Sequence, residues 1–167
     1  TEMLAVANYF GKEVLREVPY EQFFASIPQL RKKVSERAIL RAFHYYEEND
    51  RVDAAAAALK EGRVKDFLAA VGASGVSSLN CLQNCFVPGS TEQPVSLAIH
   101  ISERIIRDGA VRVHGGGFAG TVLAYLADAE VENYVAQMAK VFGRENVFTA
   151  SVRLPGATEL DLGELIG

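Results

Sequence analysis

The stretch DGAVRVHGGGFAGTVLAYL, from Asp108 to Leu126, constrains the fold of this chain more than any other. AVRV alternates apolar and other residues and is rich in valine, and TVLAYL is a second β-rich run, so both read as strands. The segment between them, His114 to Gly120, closes a hairpin. A tight hairpin needs one or two glycines. This loop has Gly115, Gly116 and Gly117 in a row, then Phe118, Ala119 and another glycine at 120. Two explanations are open. The surplus glycine marks a generous or bulged hairpin, or it lets backbone N–H groups approach an anion or a second loop more closely than any Cβ allows. Arg112 and His114 lie on one face of the first strand, because side chains alternate along a strand, and either can add positive charge or hydrogen bonds beside the loop.

The rest of the chain reads mainly as helix. TEMLAVANYFGKEVL is a short amphipathic helix closed at Gly11, and VPYEQFFASIP is a helical piece between Pro19 and Pro28. A long helix is expected from about Gln29 to Asn49, with Leu30, Val34, Ala38 and Phe43 near one face. DAAAAALKEG is the strongest helix signal, stopped by Gly62. VKDFLAAVGASGVSSL is expected to end at the Gly72–Ser78 cluster. A loop spans Cys81–Gln93, with a turn at Pro88–Gly89, and PVSLAIHISERIIRDG starts a helix at Pro94. DAEVENYVAQMAKVFG is an amphipathic helix capped by Asp128 and stopped by Gly143, and NVFTASVRL reads as a third strand ended by Pro155 and Gly156. Several helices followed by strand, loop, strand, helix, strand imply an α+β domain, with helices covering one face of a small antiparallel sheet.

The 167 residues suit one domain, and their apolar content is enough for an ordinary core. With 17 basic against 21 acidic residues, the chain lacks the clustered positive charge of a nucleic-acid surface. No run reaches the roughly 18 apolar residues of a membrane span. A cytoplasmic location without a signal peptide is expected. Thr1 in place of methionine, with a helical pattern starting at once, suggests a processed chain or an excised piece. Cys81 and Cys85 are read as reduced thiols in or near a core, since His44, His100 and His114 are scattered without metal-helix spacing.

A second polar cluster, RAFHYYEENDRV, places Arg41, His44, Tyr45, Glu48, Asn49 and Arg51 on about three helical turns, with His44 and Glu48 an i,i+4 pair. A solvated helix face with interhelical ion pairs explains it more simply than catalysis does. From the residues alone no catalytic set, metal cage or nucleophile with its base can be assembled.

Two of these stretches resemble a known family. VHGGGFAGT is similar to the third motif of the GHMP kinases in its galactokinase version, with Arg112, Val113, His114 and Gly115 to Gly120 in the corresponding places. Ala119 stands where many members have glycine, and His114 where many have threonine. The cluster Arg41, Ala42, His44, Glu48, Asn49, Arg51, Val52 resembles the galactokinase segment R-A-x-H-x-x-x-E-N-x-R-V, and YFGKEVLREVPYEQF and GASGVSSLNCLQN extend the similarity over most of the chain. The resemblance implies that residues 1–167 form the C-terminal domain of a galactokinase-like sugar kinase, ferredoxin-like and α+β. The N-terminal domain with the sugar signature, the ATP loop and the catalytic residues would then be the missing partner, and ATP and Mg²⁺ the cofactors of the whole enzyme. Gly115, Gly116, Gly117, Phe118, Ala119 and Gly120 would support the phosphate loop through their backbone, with Arg112 and His114 as accessories. No catalytic residue or metal ligand is assigned within the chain. Galactose is the expected substrate, another sugar such as N-acetylgalactosamine an alternative. A stand-alone ferredoxin-like binding or regulatory module is the reading from a different class. Losing a partner domain would expose an apolar patch and favour self-association; no nucleic acid or membrane is expected as a partner.

Overall fold

The structure, a computed structural model, describes residues 1–118 and 120–152. In chain order these form α1 (Glu2–Tyr9), α2 (Tyr20–Ala25), α3 (Ile27–Leu30), α4 (Glu36–Lys60), α5 (Val64–Ser77), α6 (Pro94–Ile105), β1 (Gly109–His114), β2 (Thr121–Leu126) and α7 (Asp128–Phe142). The class is α+β, mostly helical, with one small antiparallel sheet. No helix among the described residues is long and apolar enough to cross a membrane.

The first core is built mainly by helices, with Leu15 and Val18 entering from the segment between α1 and α2. Val6, Ala7, Leu15, Val18, Phe23, Leu30, Ala38, Ile39 and Ala42 are buried together. Phe23 packs its ring against Phe43 and Tyr46 at centroid distances of 5.1 and 5.2 Å. The Tyr46 hydroxyl donates to the Val18 carbonyl at 2.7 Å, and burial pushes its phenol up to about 12. A buried tyrosine keeps its proton when its hydroxyl has an acceptor of this kind.

Helix α4 starts seven residues later than the apolar pattern suggests and runs eleven beyond its expected end. Ser35 sets the start, its hydroxyl accepting the Ala38 N–H at 3.1 Å. At the far end the alanine run belongs to the same helix. Gly62, at φ +69°, closes it: the Gly62 N–H reaches the Leu59 carbonyl and the Arg63 N–H the Ala58 carbonyl. That pair of bonds satisfies the orphan carbonyls of the last turn.

Helix α5 also departs from expectation, because Gly72 and Gly75 do not break it. Gly75 is where β1 crosses: a Cβ there would stand 2.8 Å from the Val111 carbonyl oxygen. The glycine serves close packing, at the propensity cost that a helix tolerates when tertiary contact repays it. Asp128 is the first residue of α7, not its cap; Ala127 holds that place and Asp128 adds negative charge to the first turn.

β1 and β2 pair antiparallel from Gly109↔Leu126 to His114↔Thr121. Their covering differs from the expected arrangement. Val111 and Val113 pack with Val95, Ile99 and Cys85 on the α6 side. On the other face α5 approaches Arg112 through Gly75, and Phe67 meets the Tyr125 ring edge-on at 5.5 Å. Helices thus cover both faces, because both faces of the hairpin carry apolar side chains that must leave water. The third strand does not form over residues 147–152, where Phe148 and Val152 are exposed; Arg153, Leu154, Pro155 and Gly156 lie outside the described residues.

Candidate functional site

The glycine loop begins where β1 ends. His114 is exposed and pairs with Thr121. Gly115 takes φ +69°, Gly117 φ +81°, and Phe118 φ +61° with its ring partly in solvent. A bulky residue in that left-handed region costs about 1–2 kcal/mol and persists only where the surroundings hold it. Ala119 lies outside the described residues. A Cβ at Gly120 would meet the Gly117 carbonyl oxygen at 3.0 Å.

The loop has a partner that sequence reading did not identify. Asn84 is only 4% exposed, and its side chain donates from Nδ2 to the Gly116 carbonyl at 3.3 Å. Its own carbonyl accepts the Phe118 N–H. A Cβ at 117 would stand 2.6 Å from Asn84 Nδ2 and closer still to the Asn84 carbonyl oxygen. Gly117 is therefore required by a contact inside this chain. Gly116 is not: its φ is outside the left-handed region, it is exposed, and none of the described residues lies within 4 Å of where its Cβ would be. Asn84 closes the stretch GASGVSSLNCLQN, but nothing in that stretch signals contact with the glycine loop; only the fold brings it under a loop more than thirty residues away.

The polar cluster on α4 faces α5. His44, 8% exposed, places Nδ1 3.0 Å from the Ser77 hydroxyl. Glu48 accepts from the Ser74 hydroxyl, pairs with Arg51 at 2.6 Å, and faces Arg112 of β1 at 3.5 Å. The expected solvated face is thus largely an interhelical seam. His44 and Glu48 each engage a serine of α5, so Ser77, His44 and Glu48 do not form a nucleophile, base and orienter set. Arg112 is spent on Glu48 and on the Val113 carbonyl, which its Nε reaches at 3.0 Å. The structure brings Gly116, Gly117 and Phe118 against Asn84, with Gly115 at the rim, and directs Arg112 to the α4 seam instead.

Burial alone would raise the Glu48 carboxyl, but hydrogen bonds from Ser74 and Arg51 and the charge of Arg112 outweigh it and hold the group below its usual value. Burial lowers His44 from 6.5, against the opposing pull of Glu48. Since the folded state resists His44 protonation, its contribution is complete above pH 6.5 and declines as pH falls below that value. Glu48 acts in the same direction at lower pH, below its ordinary 4.5. Urea midpoints are expected to fall between pH 8 and pH 5.5, with His44→Gln flattening that slope; an unchanged slope in the variant would contradict the assignment. Burial also pushes both cysteine thiols up, which lowers their thiolate fraction.

A concavity of about 560 Å³ lies between α5, α6 and the Gly109–Val111 end of β1, at the opposite end of that strand from the glycine loop. No protein-family model matches the chain.

Proposed function

We propose that this chain is the C-terminal domain of an ATP-dependent galactokinase-like sugar kinase, its helices and hairpin being part of a ferredoxin-like GHMP domain. One observation carries the reading: Gly116 lacks a side chain although neither its φ nor any neighbour among the described residues requires that. A glycine with no internal reason is accounted for by a surface that comes close from outside, and the resembling motif supplies one, the phosphate-binding loop of the N-terminal domain.

In this role the loop contributes backbone and shape. Transfer of the γ-phosphoryl group from ATP to the 1-hydroxyl of galactose relies on positioning and electrostatic stabilisation more than on covalent chemistry, and ATP with Mg²⁺ brings the reacting phosphates. Gly115 and Gly116 leave room for the phosphate loop, Gly117, Phe118, Ala119 and Gly120 complete the run that presents them, and His114 stands at the strand end beside them. The catalytic base and the metal ligands belong to the N-terminal domain.

The coding sequence upstream of Thr1 and the activity of the polypeptide it specifies test this reading together. The expected result is an upstream segment with sugar and ATP signatures, and ATP-dependent phosphorylation of galactose or N-acetylgalactosamine by the joined polypeptide. Residues 1–167 alone are expected to show none. Turnover by residues 1–167 alone, or an upstream region without those signatures, would contradict it.

A further inference from the structure

We infer that Asn84 is the positioning residue of the glycine loop, and that the polar seam on α4 exists to hold Asn84 in place. The inference rests on the kinase reading only for what the loop is for. Arg41 of α4 donates from Nε to the Leu82 carbonyl at 3.1 Å, and His44 holds Ser77 one turn earlier. Together they pin the end of α5 and the wide helical turn Ser78–Leu82 that continues it. Gln83 then takes φ +57°, its N–H reaching the Ser78 carbonyl at 2.8 Å, and this reversal delivers Asn84 beneath the loop.

Gln83 and Phe118 are the two non-glycine residues with left-handed φ among those described, and they flank the same contact from its two sides. Strain at both ends of a single contact indicates a conformation fixed by its surroundings. Asn84 grips the loop twice, through its carbonyl to the Phe118 N–H and through Nδ2 to the Gly116 carbonyl. The exposed Gly115–Gly116 rim, which has no neighbour at either Cβ position among the described residues, is carried on that grip. Arg112, bound to Glu48, ties the preceding strand to the same helix. The two separated motifs therefore act on one object: the α4 seam sets the turn, the turn sets Asn84, and Asn84 sets the rim.

Amide hydrogen exchange on the 167-residue chain, followed by NMR, tests this. In the wild type the Phe118 amide should exchange at least ~10-fold more slowly than the Gly116 amide, because it is the one held by Asn84. Equal rates would overturn the proposal whatever any variant does. Asn84→Asp keeps the shape but sets a carboxylate oxygen against the Gly116 carbonyl. It should cost Phe118 ~10-fold of its protection and shift the Gly115–Gly117 resonances, while the Ala42 amide in α4 keeps its rate. Unchanged loop signals in Asn84→Asp would overturn it. Should that variant unfold, Gly117→Ala breaks the same contact from the loop side, and retained Phe118 protection there would overturn it equally. The readout needs no nucleotide. A loop released by Asn84→Asp with phosphoryl transfer by the joined polypeptide intact would count against the loop's kinase role and leave the positioning role standing.

Discussion

Gly117→Ala is expected to destabilise the chain by about 3 kcal/mol, whereas Gly116→Ala is expected to change stability by less than about 0.5 kcal/mol. The two glycines are adjacent, and composition cannot tell them apart. At 117 the alanine suffers twice. Its φ of +81° is one that a Cβ disfavours, and the methyl group would meet the backbone and side chain of buried Asn84. The carbonyl oxygen that it strikes belongs to the main chain, so no rotamer change relieves the clash. At 116 the methyl enters open space at ordinary φ. For a chain of this size the melting temperature should fall by roughly 6–12 °C in Gly117→Ala and hardly move in Gly116→Ala. Thermal unfolding followed by circular dichroism reads both, and equal effects would contradict the division of roles within the loop.

The largest loss of stability is expected from Phe23→Ala, about 3–5 kcal/mol. Phe23 is fully buried in the helical core and is in ring contact with Tyr20, Phe43 and Tyr46. These neighbours belong to α2 and α4, so removing the ring leaves a cavity whose walls sit on two helices and cannot collapse together. Phe24, the next residue, is half exposed, and Phe24→Ala should cost about 1 kcal/mol or less. Urea titrations of the pair check the contrast; a Phe23→Ala cost near that of Phe24→Ala would mean that the helical core does not depend on this cluster.

The elements with strong local signals were legible in the sequence. The hairpin strands, the glycine stops at Gly11, Gly62 and Gly143, and the proline start of α6 each depend on the residues at hand. What the sequence hid depends on residues far away. Ser35 is a plain cap signal, yet Leu30 and Val34 continue the apolar period across it, and periodicity alone merges α3 into α4. Gly72 and Gly75 look like breakers because only the crossing of β1 explains why α5 tolerates them. The apolar alternation of NVFTASVRL marks strand propensity, a weak preference that tertiary context overrides, and over residues 147–152 it pairs with neither β1 nor β2.

The site was half legible for the same reason. The excess of glycine left a generous hairpin and a close approach both open; the structure accounts for Gly117 by its contact with Asn84 and shows no such contact at Gly116 among the described residues. Asn84 has no local signature, and the meaning of the α4 cluster appears only when Arg41, His44 and Glu48 are traced to Leu82, Ser77 and Arg112. His44 and Glu48, four residues apart, suggested contact with each other; packing of α5 against α4 offers each a serine hydroxyl instead.

Phosphoryl transfer by the polypeptide that includes the native sequence upstream of Thr1, compared between wild type and Gly116→Ala, tests the central claim most directly. ATP-dependent sugar phosphorylation is expected in the wild type and a loss of about 10-fold or more in Gly116→Ala, with melting temperatures alike, because under the proposed function the added methyl would stand against the phosphate loop. Full activity in Gly116→Ala, or no sugar kinase activity in the wild type, would contradict it.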